Sequence, residues 1–210
     1  EQDSEIMEQI LSRALSMSAH VNLVESTNIP GNLPIYQKRN WKLAYETYSY
    51  ICLCDGLTAF AEVDLLETMI VVPGRMQEVD SSGTKFVLDG AHNVQKISAL
   101  VSSFRDKYGS NRVPCILAMK EDKDFEECIP LLSKIVSRVY ACEFTSVQDM
   151  PIQSVDSEEL AAACRKSGLP TTTFSSIGEA LKAVEKENEP VILVTGSFYL
   201  LKSFFLAIKN

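Results

Sequence analysis

The stretch Leu88-Asp89-Gly90-Ala91-His92-Asn93 sets a carboxylate, a glycine, an imidazole and an amide within six residues. A short β-type run, Lys85-Phe86-Val87-Leu88, leads into it, and an amphipathic helix pattern starts straight after. Turns between a strand and a helix lie at the carboxyl edge of α/β sheets, where ligands bind. Asp89 can accept hydrogen bonds from ribose hydroxyls, join a metal shell, or cap the following helix. His92, one of two histidines, can bind a carboxylate or phosphate when charged, or help to position an amine.

Three further loops carry groups of the same kind. Pro73-Gly74-Arg75 puts a guanidinium beside a glycine, where it can grip an oxyanion bidentately or stand as a plain surface cation. In Val194-Thr195-Gly196-Ser197-Phe198 a β-branched strand runs into a helix start. Ser197 can cap that helix, and the free amides there favour an anion such as a carboxylate. In Tyr36-Gln37-Lys38-Arg39-Asn40, Gln37 and Asn40 are three apart and share a helical face. Two amides there can read the edge of a base, and ordinary exposed helix polarity explains them equally.

The missing motifs narrow the chemistry. There is no G-x-x-x-x-G-K-[ST] phosphate loop and no G-x-G-x-x-G. No nucleophile elbow or Ser/His/Asp order is present. The six cysteines form no C-x-x-C pair, which argues against structural zinc and for buried, reduced thiols of a cytoplasmic protein. Cys52 and Cys54 are two apart, so on a helix they face different ways.

The elements that must position these loops are legible in outline. With 210 residues, 46% of them hydrophobic, the chain can bury a sizeable core. A net charge of −8 disfavours a phosphate-tracking surface, so nucleic acid is not an expected partner. No apolar run approaches the roughly 20 residues of a membrane helix, and no signal peptide is expected. Glu rather than Met stands first, which reads as a processed product or an excised piece.

Hydrophobic spacing predicts helices over 3–18, started by Asp3 or Ser4, then 36–53 and 61–67, with a short strand at 20–24 and turn-forming residues over 27–34. Pro73-Gly74 marks an expected domain boundary. Beyond it, strands are predicted at 76–79, 85–88, 113–119, 138–143, 171–174 and 191–195. Helices are predicted at 94–107, 124–136, 157–167, 176–187 and 198–208, and an irregular polar connection at 144–156. Strands alternating with helices imply an α/β fold: a Rossmann-like, mostly parallel sheet with helices on both faces. Residues 1–72 offer too few strands to close a sheet and read as the incomplete tail of a preceding domain.

Taken together, LDGAHN at 88–93, VPGR at 72–75, GNLPIYQKRNWKLA at 31–44, KEDKDFEECIPLL at 120–132 and VTGSFYLL at 194–201 resemble the folylpolyglutamate synthase and dihydrofolate synthase branch of the Mur ligase superfamily. Residues 5–25 are similar to that family's late central-domain helix and strand. The resemblance implies a C-terminal glutamate-ligase domain over 73–210 and a central ATPase-domain tail over 1–72. It further implies an ATP- and Mg-dependent ligase in which a folate or dihydropteroate carboxylate becomes an acyl phosphate that the amine of L-glutamate attacks. By the same resemblance Arg75 would meet ATP phosphate or ribose, Asp89 the ribose, and Asn40 and Gln37 the adenine. His92 and Ser197 would lie near the incoming glutamate, with Asp122 and Lys123 supporting the loop. Val94 stands where the family usually has proline. The phosphate loop and the magnesium ligands would sit in an upstream ATPase domain, so this chain alone is expected to be inactive. A muramyl-peptide ligase domain, or a non-catalytic Rossmann-like module binding a nucleotide or acidic ligand, are the alternatives.

Overall fold

A computed structural model describes residues 4–24, 33–67, 72–81, 83–147, 151–187 and 189–208. Three helices come first: α1 (Ser4–Ser16), α2 (Ile35–Cys54) and α3 (Glu62–Glu67). Then follow β1 (Gln77–Ser81), β2 (Thr84–Asp89), α4 (Val94–Tyr108), β3 (Val113–Leu117), α5 (Phe125–Leu132) and β4 (Val136–Ala141). A small hairpin, β5 (Thr145–Val147) and β6 (Pro151–Gln153), precedes α6 (Ser157–Lys166), β7 (Thr171–Thr173), α7 (Ile177–Val184), β8 (Val191–Thr195) and α8 (Phe198–Ala207).

The main sheet has six strands in the order β1-β2-β8-β3-β4-β7. β1 is antiparallel to β2, and the other neighbours are parallel. Side chains alternate between the two faces, as the pleat requires. Val87, Cys115, Leu117, Val139 and Leu193 join one core with Ile97, Leu100 and Phe104 of α4 and with α5 and α6. Phe86, Leu88, Ile116, Ile192 and Val194 join a second core with α7 and with Leu200, Leu201 and Phe204 of α8. The sheet is therefore buried on both faces, which explains its apolar strands.

This layering creates the place for a site. β2 and β3 hand the chain to α4 and α5 on one face, whereas β8, lying between them, hands it to α8 on the other. Loops that leave in opposite directions open a crevice at the carboxyl ends of the strands.

Two expectations need correction. Residues 20–24 form no strand, because no neighbouring strand among the described residues offers a ladder for their backbone groups. The connection over 144–156 is not irregular: β5 and β6 pair antiparallel, and a bridge between Lys120 and Ser154 ties the hairpin to the loop after β3. The expected helix start at Asp3 and most of the turn at 27–34 lie outside the described residues. No described helix is long and apolar enough to cross a membrane. All six cysteines are free, but only five are buried, since Cys54 is exposed.

Candidate functional site

Three loops distant in sequence meet around one aromatic ring. The amide of Gly90 donates to the carbonyl of Gly74 at 2.9 Å, which joins the turn before β1 to the turn after β2. Phe198, first residue of α8, lies over both glycines. A Cβ on Gly90 would stand 2.6 Å from the ring, and one on Gly74 would stand 2.9 Å from it and 2.7 Å from Leu201 Cδ1. The glycines thus let two backbones approach the ring as closely as they do. Gly74 also holds φ +68°, a left-handed conformation that suits glycine. The Arg75 guanidinium sits 4.8 Å from the centre of the same ring. That cation–π contact orients it, and Arg75 makes no ion pair among the described residues.

Asp89 closes β2 and is 2% exposed. Its Oδ2 accepts from the Tyr36 hydroxyl at 2.6 Å and from the Met76 amide at 2.9 Å. Its Oδ1 accepts from the Ala91 amide at 2.9 Å. Burial pushes its carboxyl up, although these three bonds and the charge of Arg75 oppose that. Burial and then the charge of Asp89 push the Tyr36 phenol up. Asp89 does not cap α4; Asn93 does, accepting from the Lys96 amide at 2.9 Å. In this arrangement the Tyr36 hydroxyl occupies an acceptor position of Asp89.

His92 Nδ1 lies 2.8 Å from the Gly90 carbonyl, and Nε2 lies 3.1 Å from Lys96 Nζ. A carbonyl only accepts and an ammonium only donates. The ring that fits both neighbours carries its hydrogen on Nδ1 and turns its Nε2 lone pair toward Lys96. In this arrangement both ring nitrogens have a neighbour, and Lys96 adds a cation at this corner.

Asp89 is paired in register with Thr195, the last residue of β8. Gly196 follows at φ +109°, and a Cβ there would fall 2.5 Å from the Ala118 carbonyl. That close approach draws the third loop against the end of β3. Ser197 is 5% exposed and caps α8, its Oγ accepting from the Tyr199 amide at 3.1 Å. Arg75, Asp89, His92 and Ser197 thus come together at one sheet edge.

Gln37 and Asn40 lie in the first turns of α2, which packs on α4. Neither side chain bonds to the cluster among the described residues; Tyr36, one residue earlier, does. Asp122 and Lys123 line an open hollow of about 380 Å³ together with Asn93, Val94, Gln95 and Asp124. Asp122 also pairs with Lys120 at 3.0 Å and with Lys123 at 3.4 Å. Sequence reasoning missed Tyr36, Lys96 and the role of Phe198. Lys96 had a usable signal, since it lies four residues after His92 at a helix start and such pairs meet. Tyr36 had only its place beside Gln37.

Comparison with known proteins gives this geometry a family. The chain is 27% identical over 149 residues to a dihydrofolate synthetase of Saccharomyces cerevisiae, a match covering 68% of this chain and 35% of the yeast protein. It matches Mycobacterium tuberculosis folylpolyglutamate synthase complexed with ADP at a TM-score of 0.80 and 17% identity, over 100% of this chain and 54% of that one. It also matches the bifunctional folylpolyglutamate synthase/dihydrofolate synthase of Yersinia pestis with Mn, AMPPNP and L-glutamate bound, at a TM-score of 0.71 and 19% identity, over 97% of this chain and 51% of that one. The chain therefore spans about a third of the yeast relative and about half of each solved structure. The family model for the dihydrofolate synthetase C-terminal domain matches residues 73–207, well over half the sequence. The α/β sheet, the loops gathered at its carboxyl edge and this match agree: the chain belongs to the dihydrofolate synthetase C-terminal domain family.

Proposed function

We propose that this chain is the C-terminal part of an ATP-dependent ligase that adds L-glutamate to a folate or to dihydropteroate through an acyl phosphate. Residues 73–210 are the glutamate-ligase domain in this reading, and 1–72 are the tail of a central ATPase domain whose phosphate loop lies upstream. The observation that carries it is the meeting of the Arg75, Asp89–His92 and Ser197 loops around the Phe198 ring.

The residues fit the task. Arg75 is half-buried, is oriented by Phe198 and makes no ion pair among the described residues, which suits a phosphate oxygen. Asp89 takes the ribose hydroxyls once Tyr36 moves aside, and Gln37 and Asn40 meet the adenine from the same helix start. His92 and Ser197, with the first amides of α8, face the glutamate. Acyl-phosphate chemistry depends on positioning and on spreading phosphoryl charge. A cation brought by one domain to another completes the site only on closure, which keeps water from the intermediate. Magnesium would neutralise phosphate charge, with its ligands outside this chain.

The test is ATP-dependent glutamate addition to a reduced folate and to dihydropteroate by the longer protein carrying the upstream half. Arg75→Ala and Asp89→Ala should each lower the rate sharply. Wild-type rates for both variants would remove the site assignment. The 210-residue chain alone should bind ATP weakly or not at all, and a micromolar Kd by calorimetry would contradict that.

A further inference from the structure

We propose that Phe198 is a positioning residue: its ring holds the Arg75 guanidinium where it meets the transferring phosphoryl group, and it ties that loop to the start of α8. The proposal deepens the glutamate-ligase reading and rests on it for the reaction, though not for the geometry. Arg75 stands between two left-handed residues, Gly74 at φ +68° and Met76 at φ +47°. Glycine adopts that conformation freely, whereas methionine does so under strain. The strain is sustained by the Met76 amide, which donates to Asp89 Oδ2 at 2.9 Å, and by the Met76 side chain, which is buried in the same core as α4. On the other side the Gly74 carbonyl accepts from the Gly90 amide at 2.9 Å. The backbone around Arg75 is therefore pinned on both sides, and only its long side chain is left to be placed.

Two neighbours act on that side chain. Asp89 attracts it by charge, but the carboxylate already accepts from three donors and makes no ion pair with Arg75 among the described residues. The Phe198 ring, its centre 4.8 Å from Arg75 Cζ, supplies a face for the guanidinium. The ring lies there because its tip rests on bare glycine: a Cβ on Gly90 would stand 2.6 Å from Cζ, and one on Gly74 would stand 2.9 Å from Cε1. Phe198 is 42% exposed, so core packing does not account for a phenylalanine at this place. It directly follows the cap residue Ser197, so the turn that faces glutamate also carries the shelf on which the cation rests. In the activation step a carboxylate oxygen attacks the γ-phosphorus of ATP, the bond to the bridging oxygen breaks, and ADP leaves with the electron pair. Charge spreads over the three phosphoryl oxygens as this happens, and a guanidinium already fixed in direction offsets it without having to be ordered during the reaction.

Proton NMR of this chain reads the geometry. Arg75 side-chain protons over the ring face should resonate upfield of an ordinary arginine, and Arg75→Lys assigns them. Phe198→Leu and Phe198→Met, which keep an apolar side chain but lose the ring, should both return them to the ordinary position. ATP-dependent glutamate addition by the longer protein reads the role. Phe198→Leu should lower kcat about 10-fold, within the roughly 100-fold that a misplacement of about 1 Å can cost, with KM for ATP unchanged. In an Arg75→Ala background it should lower the rate no further, because the ring acts through the guanidinium. Unshifted Arg75 protons in the wild type, a wild-type kcat in Phe198→Leu, or a kcat loss that repeats in full in the Arg75→Ala background would each overturn the proposal, the last by showing that the ring only packs. A longer protein that adds no glutamate even as wild type would remove the ligase reading, and with it the step given to Phe198, while the upfield shift would still report the ring contact.

Discussion

The hydroxyl of Tyr36 donates to Oδ2 of Asp89 at 2.6 Å, linking the start of α2 to the end of β2 across 53 residues of sequence. Both partners gain by it: the phenol finds an acceptor in a half-buried place, and the carboxylate is offset against its own burial.

Tyr36→Phe removes one of three donors to Asp89 and should destabilise the chain by about 1.5 kcal/mol, near the lower end for bonds to a charged acceptor. Asp89→Ala should cost more, about 3 kcal/mol, since it leaves the amides of Met76 and Ala91 unpaired. Urea unfolding of the two variants checks the order. On the proposed ligase reading, Tyr36→Phe in the longer protein should bind nucleotide at least as tightly as wild type, because an acceptor position of Asp89 is freed.

The glycines at the site differ in what opposes a side chain. Gly90→Ala meets the Phe198 ring, an exposed side chain that can turn, and should cost about 1 kcal/mol. Gly196→Ala meets the Ala118 carbonyl, which is backbone, from an unfavourable φ of +109°, and should cost about 3 kcal/mol. Pairing each with Phe198→Leu should relieve the first loss and leave the second, a difference that thermal unfolding of the double variants can read.

Glu78 on β1 sets an acid limit. Burial pushes its carboxyl up, but hydrogen bonds from Lys107, Lys85 and Tyr108 outweigh that and hold it at about 2, below the ordinary 4.5. A carboxyl lowered in the fold contributes stability that is fully present above its unfolded value and lost as pH falls toward about 2. Asp89, raised by burial, acts in the opposite sense: its contribution is present in acid and lost as pH rises through its folded value. Glu78→Gln should therefore lower stability at neutral pH and converge with wild type near pH 2. The effect should be modest, because the side chain is open to solvent screening. Unfolding midpoints from pH 2 to 7 report both the sign and the window.

Of the six thiols, Cys54 alone is exposed. A thiol reagent should label one cysteine per chain quickly in buffer and six in denaturant. Cys54→Ser should abolish the fast phase.

Where the sequence spoke through periodicity or through polar groups packed at a strand end, it was legible. The apolar runs of β2, β3 and β8 and the i, i+3, i+4, i+7 stripe of α4 follow from burial on one face or two. Asp89, His92 and Ser197 stood out because strand ends in α/β sheets are where ligands bind. Partners set by tertiary approach were not legible: Tyr36 meets Asp89 only because α2 packs on α4. Nor was the hairpin over 144–156, whose three-residue strands are too short to show alternation. The strand at 20–24 was a period without a partner. Amide pairs such as Gln37 and Asn40 read the same whether they face a ligand or water.

The position of β8 has a consequence for assembly. It is the last of the described strands in the chain, yet it lies between β2 and β3, with Asp89 on one flank and Leu117 on the other. Until residues 191–195 arrive, those two strands border an empty lane and cannot hydrogen-bond to each other. During synthesis the carboxyl edge of the sheet thus waits for β8, and a ribosome that stalls before Val191 releases a sheet split down its middle.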